Sequence, residues 1–361
     1  MKVLVLSTVR LMKNGIATVI YQYYEYLKDK VDFDFVCLDE IDPSTKKELL
    51  HNHRKVYVLH NRKKKPLKYL KTIINICKTN KYDIIHVHGN SSSMLLELLA
   101  ARFSNIKIRI VHAHAISSNH PKINRMLSPI ISTLSTYRLA CSDKAGEFLY
   151  RNHPFCVLPN AFNTSDYIFN EDIRNIYRHN LKIKDSEFVI GYIAVFSEVK
   201  NHRFLIDAFD SYCNYNPNAR LILVGDGNQY QEMRRYANSK SFGPLITFLG
   251  VRNDVNRLLN ALDYVLFPSK SEGLGIALLE AEANGLPIIA NKDGISEKVR
   301  INTNFLFLAA DDPHKWAIEL FERPCCRVVD GAERVKQSGF DISEQGEKLL
   351  RIYSSLLHNH R

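Results

Sequence analysis

Pro268-Ser-Lys-Ser-Glu-Gly-Leu-Gly-Ile-Ala-Leu-Leu-Glu-Ala-Glu-Ala-Asn-Gly-Leu-Pro-Ile-Ile-Ala290 is the stretch from which the fold can be read. Just before it, Asp263 to Phe267 is apolar after its first residue and predicts a short buried strand. Pro268 ends that strand, because proline has no N–H to give to a sheet. Gly273 and Gly275 let the loop turn sharply and bring backbone close to a ligand. Ile276 to Asn284 are good helix formers, Gly285 is placed to cap them, and Pro287 blocks continuation. Pro287 to Ala290 opens the next strand, so the segment spells strand, glycine-containing turn, helix, strand.

A helix that begins at the end of such a turn points its unbonded first amides beyond the strand. There they can hold a phosphate or diphosphate. Glu272 lies in the turn. Glu280 lies about one turn into the helix, with its side chain leaning back toward the N-terminus. Both carboxylates can therefore meet one ligand across the helix end, accepting from paired hydroxyls such as those of a ribose or a sugar ring. Taken alone, Glu280 also reads as a solvated residue on an exposed helix face.

The segment resembles the E-x7-E signature of retaining GT-B glycosyltransferases of family GT4, and more narrowly the bacterial capsular and exopolysaccharide transferases. That resemblance implies an α/β protein of GT-B fold. Two Rossmann-like α/β/α domains would face each other across a cleft, with a C-terminal helix crossing back to the first. It also implies that Glu272 contacts the transferred sugar and Glu280 the ribose. The backbone of Gly273, Leu274, Gly275, Ile276 and Ala277 would hold the donor diphosphate.

The length of 361 residues exceeds a single core of usual size and predicts two domains. We place them at residues 1–165 with about 344–361, and at 166–343, and read Phe162 to about Asp185 as a polar linker. No apolar run approaches the ~18–20 residues of a membrane span. The N-terminus reads as a first strand rather than a signal peptide. Seven cysteines, with Cys325 and Cys326 adjacent and the others scattered, show no metal-type spacing and suit a reducing cytoplasm.

The net charge of +11 is unevenly spread. Residues 1–166 hold 25 Lys and Arg against 13 Asp and Glu, a balance of +12, and the remainder hold 24 against 25. This asymmetry predicts an anionic partner for the first half: nucleic acid, anionic lipid or a lipid-linked diphosphate. No basic and aromatic nucleic-acid module is visible, so nucleic acid ranks last. Asn61-Arg-Lys-Lys-Lys-Pro leads into Leu67, Leu70, Ile73, Ile74 and Cys77 at helical spacing, with Lys68, Lys71 and Lys78 beside them. Such a basic face can rest on an anionic bilayer or be simply solvated. Pro121 to Tyr137 reads as an amphipathic helix, with an acceptor-side or membrane-facing role as the sharper alternative.

Strands alternate with helices along the first half, which predicts a parallel sheet. Two of these strands end in paired histidines, His86 with His88 and His112 with His114. Alternation puts each pair on one face. Zinc comes to mind first, but no Cys or Glu stands at an established spacing, and no metal is expected. By resemblance, His114 is the active-site histidine near the donor diphosphate and sugar. Asn14-Gly15 stands where the family has two glycines, in a loop that would close over the donor phosphates. The loop is not G-x-G-x-x-G, which argues against a dinucleotide dehydrogenase.

In the second domain, Phe188 to Val195 predicts a strand and Lys200 follows it. The resemblance makes Lys200 a ligand of the donor diphosphate and the backbone at Val251 the nucleobase contact. Relatives typically read Gly-Arg where this chain has Ala194-Val195, so one diphosphate-binding guanidinium is missing, with Arg10 or Lys13 as candidate substitutes. The expected function is retaining transfer of a sugar from a nucleotide-sugar donor, a UDP-sugar first, to a lipid-linked saccharide, without cofactor. The expected place is the cytoplasm or the inner membrane surface. The alternatives are a donor-binding protein with weakened or lost catalysis, and a nucleotide-sugar 2-epimerase.

Overall fold

In the computed structural model, residues 1–12, 15–118, 120–323 and 325–360 are described. The chain forms two compact units. Unit 1 is Met1–Phe162 with Ile342–Arg361, and unit 2 is Asn163–Asp341.

Unit 1 is built on seven parallel strands: β1 (Lys2–Ser7), β2 (Asp32–Leu38), β3 (Val56–Leu59), β4 (Ile84–Gly89), β5 (Ile108–Ala113), β6 (Tyr137–Ala140) and β7 (Cys156–Val157), in the order β3-β2-β1-β4-β5-β6-β7. The strands are nearly continuous apolar runs because helices cover both sheet faces. Val3, Leu4, Val36, Ile85 and Val87 are fully buried. The C-terminal helix Ile342–His358 packs on helix Gly15–Leu27 of this unit. Gly346 permits the approach, since a Cβ there would lie 2.2 Å from the Tyr26 ring. Glu347 accepts from the Tyr26 hydroxyl at 3.1 Å and pairs with Lys30.

Unit 2 is built on six parallel strands: β8 (Phe188–Ile193), β9 (Ala219–Val224), β10 (Ile246–Gly250), β11 (Tyr264–Phe267), β12 (Ile288–Asn291) and β13 (Phe305–Leu308), in the order β10-β9-β8-β11-β12-β13. The opening segment folds as expected. Helix Ile276–Ala283 follows β11, Asn284 is its C-cap, and Gly285 takes a left-handed φ of 78°. The Leu286 amide bonds back to Ala281 O at 3.0 Å, which closes the helix end.

Phe162 to Asp185 is not a linker. Asn170 caps helix Glu171–Asn180, whose Arg174 and Arg178 both pair with Asp263 of unit 2. The polar composition that suggested a linker supplies these ties. A second correction concerns helix Pro121–Leu134. It buries Asn124, Ser128, Ile131 and Ser132 and leaves Ile123, Met126 and Ile130 exposed. Asn124 Oδ1 accepts from the Ser92 amide at 2.7 Å, so hydrogen bonds rather than apolar contact hold much of its inner face. Leu67, one of the apolar residues at helical spacing, is 74 % exposed at the start of helix Pro66–Asn80.

Candidate active site

In unit 2 the strand order reverses between β8 and β11, and ligands of open α/β sheets bind at the carboxyl ends of such strands. The loops leaving these two strands carry Lys200 and Glu272. Lys200 ends a short turn, Glu198–Lys200, and left-handed Asn201 (φ 56°) then starts helix His202–Tyr212. The loops are tied together where the Lys270 amide donates to Val199 O at 2.8 Å. Gly294 supports them from below, because a Cβ there would lie 2.3 Å from the Lys270 carbonyl carbon. Lys200 Nζ and Glu272 Oε1 form an ion pair at 2.5 Å, with side chains 22 % and 9 % exposed. Gly275 takes a φ of 77° as the N-cap of helix Ile276–Ala283, which only glycine adopts readily, and thereby aims the first-turn amides of Ile276 and Ala277 outward. A cation, a carboxylate and free amides thus converge at one strand end, as an anionic phosphorylated sugar requires.

Glu280 lies one turn further along that helix and is buried. Burial pushes its carboxyl up to about 7, while the Tyr167 hydroxyl, donating to Oε1 at 2.8 Å, opposes the rise. Glu282 on the opposite side faces inward and accepts from the Ile301 and Asn302 amides at 3.0 and 2.9 Å, with burial raising it to about 8. It anchors the 301–302 turn and has no part in the site.

In unit 1 the four histidines form one buried patch on β4 and β5. His86 stacks on His88 with ring centroids 4.1 Å apart, and His112 lies 4.3 Å from His114. His86 Nδ1 meets the Tyr353 hydroxyl at 2.6 Å, His112 Nε2 donates to Leu158 O, and His88 Nδ1 meets His114 Nε2 at 3.0 Å. Burial holds His86, His88 and His112 well below the usual histidine range and His114 at about 4. Asn160 beside His114 opposes that shift, although neither His114 Nδ1 nor Asn160 Oδ1 completes a hydrogen bond. His86, His88 and His112 bring one ring nitrogen each within 4.8 Å of one another. Imidazole lone pairs lie in the ring plane, however, and His86 and His88 are face to face at 29°. They do not converge on a point ~2.0–2.1 Å from each nitrogen, the distance a zinc ion needs.

The model of the family described as Glycosyltransferase Family 4 matches residues 13–166, and that of Glycosyl transferases group 1 matches residues 173–319. The chain carries a family 4 glycosyltransferase domain followed by a group 1 glycosyl transferase domain. Similar proteins include EpsF of Bacillus subtilis, 27 % identical over 95 % of this chain and 94 % of that protein. Another is the Escherichia coli UDP-Gal:alpha-D-GlcNAc-diphosphoundecaprenol alpha-1,3-galactosyltransferase, 25 % identical over 82 % of this chain and 81 % of its own. A third is the capsular polysaccharide biosynthesis glycosyltransferase CapH of Staphylococcus aureus, 28 % identical over 80 % and 81 %. Among solved structures, Anabaena HepE in complex with UDP and glucose superposes with a TM-score of 0.81 at 21 % identity, covering 98 % of this chain and all of that one. The fold is GT-B.

Within this glycosyltransferase the remaining candidates are placed unevenly. Val251 is half exposed just after β10, at the sheet edge and separated from β11 by β9 and β8. Gly15 opens helix Gly15–Leu27, while Asn14 and Lys13 lie outside the described residues. Gly15 and His114 belong to unit 1, and Lys200, Glu272 and Glu280 to unit 2. Arg10 is paired with Glu40 at 2.9 Å. Val195, beyond the end of β8, is 44 % exposed and supplies no charge. Sequence reasoning missed Tyr167, which belongs to no motif and stood in a segment read as linker. It also missed the tie between His88 and His114, for which the shared-face alternation of both strands was the available signal.

Proposed function

We propose that this glycosyltransferase moves a sugar from a UDP-sugar to a hydroxyl of a lipid-linked glycan, with retention at the anomeric carbon and without a metal, in capsular or exopolysaccharide synthesis. The observation that carries this reading is the Lys200–Glu272 pair at the switch point, beside the open end of helix Ile276–Ala283. Lys200 and the first-turn amides stabilise the departing diphosphate, where negative charge grows. The bond from the anomeric carbon to the phosphate oxygen breaks and a bond to the acceptor oxygen forms on the same face. The leaving phosphate takes the acceptor's proton. Support for the donor and acceptor classes comes from the UDP bound to HepE and from the diphosphoundecaprenol-linked substrate in the E. coli relative's name.

The acceptor's lipid calls for a membrane surface, which we assign to unit 1 at the inner face of the plasma membrane. Exposed Ile123, Met126 and Ile130 share one helix face beside Lys122 and Arg125. Lys63, Lys64, Lys65 and Lys68 add exposed charge. Arg62 does not contribute, because it is drawn inward onto buried Glu97 at 2.7 Å. Among the described residues no helix is long and apolar enough to cross a membrane.

Two measurements test the reading. UDP-sugars are expected to raise the melting temperature where GDP-sugars do not, and UDP is expected to be released only when an undecaprenyl-diphosphate saccharide is added. Absence of binding to any nucleotide-sugar overturns the proposal, and donor turnover without acceptor points instead to an epimerase. Val195 favours one second reading, a donor-binding protein with weakened catalysis. Its exposure leaves room for a longer side chain, so Val195→Arg is expected to raise kcat by on the order of tenfold or more, an oxyanion-type contact being worth ~2–4 kcal/mol. An unchanged kcat in that variant shows that the missing guanidinium is already compensated.

A further inference from the structure

We propose that Tyr167 is a positioning residue for the donor's ribose, holding the Glu280 carboxylate by one oxygen so that the other is presented to the ligand. The inference rests on the reading of Glu280 as the ribose acceptor.

The geometry is specific to one oxygen. The Tyr167 hydroxyl donates to Oε1 at 2.8 Å, and Oε2 takes no hydrogen bond from a described residue. Tyr167 is itself clamped at its other end. Asn284 Nδ2, one helical turn after Glu280, donates to the Tyr167 carbonyl at 2.9 Å. Asn284 is held in turn by Arg327, whose guanidinium donates to its side-chain oxygen. The ring is therefore fixed against the same helix that carries the carboxylate, with its hydroxyl on Oε1. A carboxylate pinned in this way does not rotate freely, so its unpinned oxygen meets a ribose hydroxyl in a set direction.

The same hydroxyl also maintains the acceptor form. Glu280 is buried, and burial favours the protonated acid, whose O–H offers a donor where the ribose needs an acceptor. The elements packed against helix Ile276–Ala283 are the turn Thr164–Tyr167, helix Gly331–Val335 and β12. Of their titratable groups, the Tyr167 hydroxyl is the one that acts on the Glu280 carboxyl, and Asp166 acts on Tyr167. Without the hydroxyl, a larger fraction of Glu280 carries a proton at neutral pH.

The test compares Tyr167→Phe and Glu280→Gln with the unaltered full chain. Dissociation constants for UDP-glucose and its 2′-deoxyribose analogue are measured from pH 6 to 9, a range in which the diphosphate of an intact nucleotide-sugar does not titrate. Tyr167→Phe is expected to weaken UDP-glucose binding roughly fivefold near pH 7, the effect of about one unit of upward displacement in the acceptor's titration. Its binding curve is expected to move to higher pH, and its preference for ribose over 2′-deoxyribose to shrink. If Glu280→Gln weakens binding while Tyr167→Phe matches the unaltered chain at every pH, the role of Tyr167 is overturned. The same holds if Tyr167→Phe only lowers the melting temperature. If Glu280→Gln leaves binding unchanged, it is the ribose reading itself that fails.

Discussion

Lys200→Met is expected to lower kcat/KM by on the order of 10²–10³, most of it in kcat. The ammonium lies beyond the carboxyl end of β8, where the proposed reaction puts the charge of the departing diphosphate, and methionine keeps the length of the side chain while removing its own charge. The substitution also strips Glu272 of its partner. Because the Glu272 side chain is only 9 % exposed, a fall in melting temperature accompanies the loss of rate. The double variant Lys200→Met with Glu272→Gln separates the two effects. It is expected to regain stability and to remain inactive. Lys200→Arg keeps the charge on a broader, planar group and is expected to fall between. UDP release under saturating donor and acceptor is the assay, and a Lys200→Met enzyme within threefold of the parent removes Lys200 from the chemistry.

Acidification from pH 7 to 5.5 is expected to cost unit 1 several kcal/mol of stability, much of what a domain of this size possesses. His86, His88, His112 and His114 titrate near 6.5 in an unfolded chain, whereas in the fold burial keeps the first three well below that and the fourth at about 4. The unfolded chain therefore binds more protons below pH 6.5. The stabilisation is present above that pH and is lost as the pH falls toward the folded values. Each ring contributes on the order of 1 kcal/mol over this interval. Unit 2 carries the opposite dependence. Glu280 and Glu282 are raised to about 7 and about 8, so the fold holds their protons more firmly than the unfolded chain does. Their contribution is fully present below about 4.5 and is lost as the pH rises through 7 and 8. His202, held at about 3 by burial, offsets part of this. Calorimetry is expected to show the unit 1 transition falling in temperature relative to that of unit 2 on acidification. A single transition that holds its temperature between pH 7 and 5.5 contradicts the histidine account.

The sheet and the candidate site were legible in the sequence to different depths. β2 and β10 were read at their observed bounds because each is rich in apolar and aromatic residues and has clear ends. The edge strands β3 and β13 were missed, since four residues at a sheet margin leave too short a pattern to register. The Glu272 turn was readable because glycines and prolines mark it, and Gly275 and Gly285 do take the left-handed backbone their positions called for. Periodicity misled at helix Pro121–Leu134. It assumes that apolar side chains go inward, and here Asn124 and Ser128 do so with hydrogen bonds of their own. The Lys200–Glu272 pair joins residues 72 positions apart, and the Tyr167–Glu280 bond spans 113. Such pairings follow from which strands become neighbours, and local sequence does not encode that.

Unit 1 takes its last wall from residues 342–358, which leave the ribosome only after all of unit 2 has been made. Until then Tyr353 cannot cap His86, and the apolar side of helix Gly15–Leu27 that Leu349 and Gly346 cover stays open to water. The half of the molecule synthesised first is consequently the half completed last, and the nascent chain must keep an unfinished domain from sticking to its neighbours for the time taken to translate about 180 further residues.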